Sequence, residues 1–446
     1  MYKVISIAGS SGVGKTTLAK LFLIHFGKCV HLTGDNYHKW ERGNHNWKKY
    51  THLDPKANDL EDASFDLSAL KEGKTVSVSK YSHDSGTFGP SEEIVSEGII
   101  IHEGLHSLYT EELRRVSDLK IFVETDEDLK LEWKIDRDMK ERGYTRSQVL
   151  EAIHSRQADE INYIDPQKKY ADVVVKFIKK SNKIDLEYTS ITTKGTHLME
   201  EILSLYKAHQ DYVFVCNEVG KDGELVKHRG GNLSYKYWDK IIITSSGSKL
   251  GEVKLFKNLS VCQTLDKGVN LLIGDRPSME LPFHLKLGKN VIHTHPYYLN
   301  LLLCSHEGLT ILETLFKEFN YAYISYVCPG KKLEDAVDSC LKEPIIFLES
   351  HGLITNSTTM LGTKALTTAV SKVCKDWFLS QEKKVSRSSS NGYLYPDAVI
   401  YETEAASNES MRKDILSVGL TPKFLSNSEV EEIRLSEEEQ YRMAVK

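Results

Sequence analysis

A chain of 446 residues is too long to fold around one hydrophobic core, so its length predicts two or three domains. With 40% hydrophobic residues, 27% charged residues and a net charge of −5, the composition is that of a soluble globular protein. It excludes a generic nucleic-acid binder but leaves room for a local basic site. The seven cysteines are scattered without a CxxC pair, which argues against disulfides and favours a cytoplasmic protein. No apolar run is long enough to cross a membrane, so no membrane partner is expected.

Strands and helices alternate in the first part of the chain. The run "YKVISIAG" at 2–9 is β-branched and apolar, which predicts a buried strand, and the helical spacing of "TTLAKLFLIHF" at 16–26 follows at once. Further strands are predicted in "EGIIIHEGLH" and "SDLKIFVET", and a charged helix in "DEDLKLEWKIDRDMKER". This alternation predicts a parallel α/β sheet.

The chain turns polar after "ADVVVKFIKK", in "SNKIDLEYTSITTKG" at 181–195, which favours a domain boundary in this region. The helical "THLMEEILSLYKAH" then leads into a second set of strands, "KIIITSSG", "KNVIHTHP", "AYISYV" and "EPIIFLES". We therefore expect two α/β domains, residues 1–199 and residues 200–446.

A glycine-rich loop separates the first predicted strand from the first helix. "GSSGVGKT" fits the pattern G-x-x-x-x-G-K-[ST], in which backbone N–H groups and a helix N-terminus surround phosphate oxygens. Lys15 would reach the β- and γ-phosphates and Thr16 would hold Mg²⁺. The predicted site for ATP and Mg²⁺ comprises Gly9, Ser10, Ser11, Gly12, Val13, Gly14, Lys15, Thr16 and Thr17.

Asp35 follows a short apolar strand in "HLTGDNYHKWER", at the strand end where α/β proteins bind ligands. A carboxylate there can orient an acceptor hydroxyl and take its proton during phosphoryl transfer. Taken alone, Asp35 also fits a helix N-cap.

Seven segments occur in the order of a known family: "GSSGVGKTT", "GDNYHKWER", "LDPKANDLE", "KYSHDSG", "HEGLH", "WKIDRDMKERG" and "YIDPQKKYADVVV". Together they resemble the phosphoribulokinase/uridine kinase family, and its phosphoribulokinase branch more closely. The resemblance implies a P-loop kinase with Asp35 as the catalytic base and Glu103 as a second Mg²⁺ ligand. It also implies a substrate and lid set of His38, Arg42, Tyr81, His83, Arg137 and Arg142.

The roles of Arg137 and Arg142 depend on this resemblance, because either residue would equally suit a solvated helix face. The acceptor is left open among sugars, sugar phosphates and sugar acids. His38 and Arg42 favour an acceptor with a phosphate or acid group over a nucleoside.

A pair of histidines marks the second half of the chain. In a strand, residues i and i+2 point to the same side, so His293 and His295 of "VIHTHPYY" can aim their rings at one point. His351 in "ESHGLIT" offers a third ligand, and Glu280 in "PSMELPFH" lies at a predicted strand-to-helix turn. Three protein ligands would leave a Zn²⁺ ion one open position, although the pair alone equally suits hydrogen-bonded structural histidines.

The segments "GGNLSYK", "ITSSGSKLG", "RPSMELPFH", "VIHTHP", "ESHGLIT" and "YLYPDAVIY" follow one another in the order of a second family. They resemble the class II aldolase/adducin family, in particular the rhamnulose/fuculose-phosphate aldolases. This implies an α/β domain with a central, mostly antiparallel sheet, and Zn²⁺ held by His293, His295 and His351. It implies Glu280 as the general acid/base. The phosphate pocket would comprise Asn232, Ser246, Gly247 and Ser278.

The expected protein is thus a bifunctional enzyme, an ATP-dependent sugar kinase fused to a zinc-dependent sugar-phosphate aldolase. The alternatives for the second domain are an epimerase, a dehydratase, a decarboxylase or a non-catalytic scaffold. The resemblance also implies a homo-oligomer, with a tetramer as the usual form, and a site residue borrowed from a neighbouring subunit. Tyr395 and Tyr401 are candidates for that residue.

Overall fold

The computed structural model of the chain describes residues 2–96, 98–181, 183–227, 230–383, 392–401 and 405–436, without the side chains of residues 141, 142 and 405. The chain divides into two compact units, Met1–Tyr206 and Lys207–Lys446. One unit is built on a mainly parallel sheet and the other on a mainly antiparallel one, which confirms the predicted fold class.

The N-terminal unit contains a six-stranded sheet in the order β2-β5-β1-β6-β7-β8 and a separate hairpin of β3 and β4. Its strands are β1 (Val4–Ala8), β2 (Cys29–Thr33), β3 (Val76–Ser82), β4 (Thr87–Ile94), β5 (Ile99–Gly104), β6 (Leu119–Thr125), β7 (Val173–Lys180) and β8 (Lys183–Ser190). Its helices are α1 (Lys15–Phe26), α2 (Leu60–Lys71), α3 (Glu111–Val116), α4 (Glu127–Arg142) and α5 (Arg146–Asp159), and α6 (Thr196–Lys221) continues into the second unit.

The sheet gathers the candidate phosphate-handling residues at one edge. Strands β1, β2, β5, β6 and β7 run parallel, so their carboxyl ends meet. Strand β5 lies between β1 and β2, and its Glu103 is in register with Ile7 on one side and Thr33 on the other. The loop after β1 and the residues after β2 therefore flank Glu103.

The glycine-rich loop depends on close backbone packing. Gly9 follows β1 with φ +147°, and a Cβ there would lie 2.3 Å from the carbonyl oxygen of Val123 in β6. No other residue type fits this position without displacing the backbone.

Strand β8 accounts for the polar stretch after "ADVVVKFIKK". It pairs antiparallel with β7 at the open edge of the sheet. Lys180 lies 3.4 Å from Asp185 and 2.8 Å from Glu187 across this pair. Charged side chains discourage a further strand from adding to a sheet edge, so a polar sequence is suited to this position.

The C-terminal unit contains an eight-stranded sheet in the order β12-β11-β10-β9-β13-β16-β15-β14. Its strands are β9 (Asn232–Tyr237), β10 (Lys240–Thr244), β11 (Leu259–Thr264), β12 (Val269–Gly274), β13 (Asn290–Thr294), β14 (Tyr321–Ile324), β15 (Ile345–Leu348) and β16 (Gly352–Ser357). Its further helices are α7 (Leu281–Lys286), α8 (Tyr297–Leu303), α9 (Gly308–Leu315), α10 (Lys331–Val337), α11 (Met360–Ser380), α12 (Pro396–Ile400), α13 (Ala405–Ser417) and α14 (Asn427–Leu435). Only β14 and β15 pair in parallel among these described strands.

Helices cover both faces of this sheet. Ile346 and Leu348 of β15 belong to a core cluster with residues of α7 and α10, whereas Ile345 and Phe347 belong to a cluster with residues of α8 and α11. This alternation is what a strand buried on both faces requires. Across the described residues, we find no helix that combines the length and the apolar character needed to cross a membrane.

Candidate active sites

The glycine-rich loop is joined to strand β5 through Thr16. The Thr16 hydroxyl donates a hydrogen bond to Glu103 Oε2 at 3.1 Å, and the Lys15 ammonium group donates to the carbonyl oxygen of Ser10 at 2.7 Å. Oxygen atoms from a hydroxyl and a carboxylate are ligands that suit Mg²⁺. Burial lowers the pKa of Lys15, and the charges of Glu103 and Asp35 oppose this shift.

Asp35 lies directly after β2, in a short 3₁₀ turn that begins at Gly34. Its Oδ2 atom is 2.8 Å from His83 Nε2, and its Oδ1 atom is 3.4 Å from His38 Nε2. Burial raises the pKa of this carboxyl group, but the His83 hydrogen bond and the charges of His38 and Lys15 outweigh burial and hold the pKa below its usual range. Asp35 is therefore an ionised carboxylate at neutral pH.

The β3–β4 hairpin brings two more predicted residues to Asp35. His83 at the hairpin turn contacts the carboxylate directly, and the Tyr81 ring lies 5.2 Å from the ring of His38. The Arg42 guanidinium group donates hydrogen bonds to the carbonyl oxygens of His83 and Asp84. Arg42 thus holds the turn that carries His83.

Helix α4 lies over the glycine-rich loop. Arg137 donates from Nη2 to Ser11 Oγ at 3.1 Å and from Nε to Asp138 Oδ1 at 3.0 Å. The side chain of Arg142, the second predicted lid arginine, is outside the described residues. Lys134, one helical turn before Arg137, packs on Gly12. Burial lowers the pKa of Lys134 to about 8, and the charge of Arg156 contributes to this shift.

A pocket of about 320 Å³ that is partly open to solvent lies beside Asp35. Its polar lining includes His38, Asn58, His106 and Ser107, and its apolar lining includes Leu60, Ala63, Leu105 and Leu113. Burial lowers the pKa of His106 to about 4, so its neutral ring offers one donor and one acceptor. The buried Ser107 hydroxyl has no hydrogen-bond partner within the described part of the chain. A ligand with several hydroxyl groups would match this lining.

The three predicted zinc ligands converge in the C-terminal unit. One ligand atom each of His293, His295 and His351 can be chosen so that all lie within 4.8 Å of one another. His293 is in β13, His295 follows it, and His351 is in the tight turn between β15 and β16. The Nε2 atoms of His293 and His295 are 3.0 Å apart, close to the roughly 3.4 Å between two nitrogens of a tetrahedral zinc site.

The outer ring nitrogens support this arrangement. His293 Nδ1 is 3.0 Å from the carbonyl oxygen of Leu353, and His295 Nδ1 is 3.2 Å from Asp397 Oδ2. Such partners orient histidine ligands and leave Nε2 free for a metal. Burial lowers the pKa of His293 to about 4 and that of His351 to about 3, which keeps these rings neutral, the form that binds Zn²⁺. The residues therefore fit this ion.

Glu280 lies beside the cluster formed by His293, His295 and His351, at the N-terminus of α7. Its carboxylate oxygens are 3.5 Å from His293 Nε2 and 3.5 Å from His351 Nε2, and Oε2 accepts a hydrogen bond from Asn232 Nδ2 at 2.5 Å. Burial raises the pKa of Glu280, but the two histidines and the Asn232 hydrogen bond outweigh it and lower the pKa to about 2.

A cleft of about 470 Å³ opens onto Glu280, His295 and His351. All four residues of the predicted phosphate pocket line it: Asn232, Ser246, Gly247 and Ser278. The Asn232 amide also binds Glu280, and Ser278 Oγ accepts a hydrogen bond from the Glu280 backbone N–H at 3.3 Å. The cleft thus combines a donor-rich turn, a carboxylate and the histidine cluster.

The sequence profile of the phosphoribulokinase/uridine kinase family matches residues 4–184. The chain is 31% identical over 181 residues to the uridine kinase of Borrelia hermsii, in an alignment that covers 39% of this chain and 86% of that protein. The chain belongs to the phosphoribulokinase/uridine kinase family. It is also 36% identical over 177 residues to the phosphoribulokinase of Synechocystis sp., covering 39% of this chain and 53% of that enzyme. The chain spans about half the length of the phosphoribulokinases it matches.

The profile of the class II aldolase and adducin N-terminal domain matches residues 210–378. The chain therefore joins a kinase-family domain to a class II aldolase-family domain, and both resemblances seen in the sequence are confirmed. A solved structure of the N-terminal class II aldolase domain of a conserved protein from Thermoplasma acidophilum covers 37% of this chain and 92% of that chain, at 21% identity and a TM-score of 0.34.

Several site residues were not found from the sequence. In the kinase domain these are Lys134, Asn58 and His106; in the aldolase domain they are Asp397 and His284. The sequence does contain a signal for Lys134, because its spacing from Arg137 puts both residues on one helix face. Asp397 has no such signal, because an acid in the first turn of a helix is common. Of the two tyrosines considered for a shared site, Tyr395 is buried in the core of its own unit.

Proposed function

We propose that the chain is a bifunctional enzyme. The kinase domain would transfer the γ-phosphoryl group of ATP to a hydroxyl group of a sugar, a sugar phosphate or a sugar acid. The aldolase domain would cleave or form a carbon–carbon bond in a sugar phosphate with the help of Zn²⁺. One observation carries each half. Asp35 lies at the end of β2, next to the strand that holds Glu103 and close enough to Lys15 for their charges to interact. Glu280 lies beside the three histidines.

In the kinase half, Asp35 would orient the acceptor hydroxyl and receive its proton. Phosphoryl transfer passes through a loose transition state, so positioning and charge neutralisation dominate its catalysis. Lys15 and Arg137 carry the positive charge that the moving phosphoryl group requires, and Thr16 and Glu103 would hold Mg²⁺. The bound Mg²⁺ supplies further charge neutralisation.

The pocket beside Asp35 supports a polyhydroxylated acceptor. It offers the His106 ring and the Ser107 hydroxyl, both buried, as hydrogen-bonding groups. A site that buries such groups discriminates strongly against ligands that leave them unpaired. After burial, the charges of Arg156, His38 and Lys134 lower the pKa of His52, and this concentration of basic groups around His52 favours an acceptor with a negative charge.

In the aldolase half, Glu280 would move a proton at the carbon next to the substrate carbonyl. A carboxylate 3.5 Å from two of the ligand histidines is close enough to reach a substrate that lies at the same metal. Bound Zn²⁺ supplies Lewis acidity for that carbonyl. Ser246, Gly247 and Ser278 would bind the substrate phosphate through N–H and O–H donors.

The test is a panel of sugars, sugar phosphates and sugar acids incubated with the full-length protein, ATP, Mg²⁺ and Zn²⁺, with products identified by mass spectrometry. We expect at least one acceptor to gain a phosphoryl group and at least one sugar phosphate to split into two smaller products. A sugar phosphate that keeps its mass but changes configuration, or loses water or CO₂, would replace the aldolase half by an epimerase, a dehydratase or a decarboxylase. A purified protein that does not bind stoichiometric zinc would contradict a metal-dependent second domain.

A further inference from the structure

A continuous line of four buried polar side chains ends on Glu280. Ser234 Oγ is 2.7 Å from His284 Nδ1, and His284 Nε2 is 2.5 Å from Asn232 Oδ1. Asn232 Nδ2 is in turn 2.5 Å from Glu280 Oε2. The exposed fractions are 1% for Ser234 and 0% for His284, and 7% for Asn232 and 6% for Glu280, which line the cleft.

Two elements create this line. Asn232 and Ser234 are two positions apart in β9 and therefore point to the same face of the sheet. Glu280 and His284 are four positions apart, at the start of and within α7, and so lie on one side of that helix. The short helix α7 sets both side chains against the pair on β9.

The Asn232 amide sets the direction of the bonds in the line. Its Nδ2 atom faces Glu280 and donates, whereas its Oδ1 atom faces His284 and can only accept. His284 must then carry its proton on Nε2, which leaves Nδ1 as an acceptor for the Ser234 hydroxyl.

We infer that His284, in its Nε2–H form and with Ser234 on its other ring nitrogen, is a positioning residue that makes Asn232 present its N–H group to Glu280 and so keeps this carboxylate aimed at the histidine cluster. The inference rests on the proposed function in one respect, namely that Glu280 is the group that moves the proton. His284 itself is fully buried behind the residues that line the cleft. Its part is comparable to that of the groups that orient metal ligands from behind.

The first test compares His284→Gln, which keeps an N–H donor, with His284→Leu, which has none. The reaction is the exchange of a carbon-bound hydrogen of dihydroxyacetone phosphate in D₂O, followed by ¹H NMR with the zinc-loaded protein. In each exchange the C–H bond next to the carbonyl breaks, Glu280 takes the proton, and a deuteron from solvent returns to the carbon. We expect His284→Leu to lower kcat for exchange by roughly 10- to 100-fold with little change in KM, and His284→Gln to restore most of it.

The matched control is His209→Leu. His209 is equally buried in the same unit, but it bonds to Tyr235 and Leu255 instead of to this line. The His209→Leu variant should have a lower thermal stability and an unchanged rate of hydrogen exchange on dihydroxyacetone phosphate. Equal losses in all three variants, or a His284→Leu protein that exchanges like the wild type, would overturn the inference.

The second test does not depend on activity. In protein labelled with ¹⁵N-histidine, long-range ¹H–¹⁵N NMR spectra should show the His284 ring as the neutral Nε2–H tautomer. The signals of this ring are assigned as those that disappear in the His284→Gln variant. A ring protonated on Nδ1 would overturn the inference even if exchange is normal. If wild-type protein shows no exchange while His284 has the expected tautomer, the proposed aldolase function fails and the positioning role stands.

Discussion

Asp35 is partly buried, with 30% of its side chain exposed, and has a low pKa. Its carboxylate is 2.8 Å from His83 Nε2, and the charges of His38 and Lys15 keep it ionised. A carboxylate with a low pKa is a weak base, so its main contribution is to orient the acceptor hydroxyl and to receive the proton late in the reaction.

We therefore expect Asp35→Asn to lower kcat for phosphorylation by roughly 10²- to 10⁴-fold, with the KM for MgATP nearly unchanged. Because the pKa of Asp35 lies below its usual range, the group stays ionised as pH falls toward 5, and wild-type kcat should show no acid limb from Asp35 above about pH 5. Steady-state kinetics between about pH 5 and 9 test both statements. An Asp35→Asn enzyme with wild-type kcat would remove the residue from the mechanism.

Lys134, unlike Asp35, predicts a pH dependence within the measured range, on its alkaline side. Its pKa is lowered to about 8, first by burial, so it is charged below pH 8 and loses its charge as pH rises through 8. It packs on Gly12 of the phosphate loop, so kcat/KM for ATP should fall above pH 8.

Lys134→Arg should abolish this fall, because the guanidinium group stays charged. Lys134→Met should lower kcat/KM already at pH 7. Lys140→Met is the matched control, since Lys140 is an exposed lysine of the same helix. Identical pH profiles for wild type and Lys134→Arg would contradict the assignment.

Residue patterns pointed to candidate ligand-binding residues more readily than to the residues that support them. The phosphate loop, Asp35 and the three histidines lie in sequence patterns that indicate their chemistry. His284 and Asp397 were not found, because each contacts a residue distant in sequence, and an isolated histidine or aspartate on a short helix has many ordinary roles. Tertiary packing creates these contacts, and the sequence alone does not display packing.

Among the elements, the order of strands decides where chemistry occurs. Strand β5 comes third in the chain among the sheet strands of the kinase domain but lies between the first two, which is why Glu103 stands beside both Thr16 and the end of β2. The sequence predicted the parallel strands but not the β3–β4 hairpin or the edge strand β8. The polar, alternating residues of these strands are buried on one face at most, so they lack the continuous apolar signal.

The start of β16 sets a demanding constraint. Gly352 follows His351, and a Cβ at Gly352 would lie 2.4 Å from the Thr294 carbonyl oxygen and 2.7 Å from His295 Cδ2. We expect Gly352→Ala to separate the histidines, to weaken zinc binding at least roughly tenfold, and to cost about 1–3 kcal/mol of stability.

Gly223→Ala is the matched control, because a Cβ at Gly223 meets nothing within 4 Å. Isothermal titration with Zn²⁺ measures the affinity of both variants. If Gly352→Ala binds zinc like Gly223→Ala, the approach of β16 to the cluster is not what holds the ligands together.

At the scale of the whole molecule, the two sets of site residues belong to different units and different families. Lys15→Ala should lower phosphorylation by at least roughly 100-fold and leave cleavage of a supplied sugar phosphate unchanged. His293→Ala should do the opposite and should also remove zinc. Both activities are measured on the same preparations of full-length protein. Loss of cleavage in Lys15→Ala would contradict two separate active sites.

The wide spacing of the three histidines along the chain affects more than chemistry. His293 and His351 are separated by a chain segment of roughly 60 residues. An ion that binds both would restrict the unfolded chain much as a covalent cross-link between them would. Zinc should therefore stabilise the folded aldolase domain, and the free energy of unfolding should rise with the logarithm of the zinc concentration. Hydrogen–deuterium exchange should therefore slow in β13 and β16 when zinc is added, while β1 and β5 exchange at unchanged rates. The same ion would serve the aldolase domain both as a catalytic cofactor and as a structural cross-link.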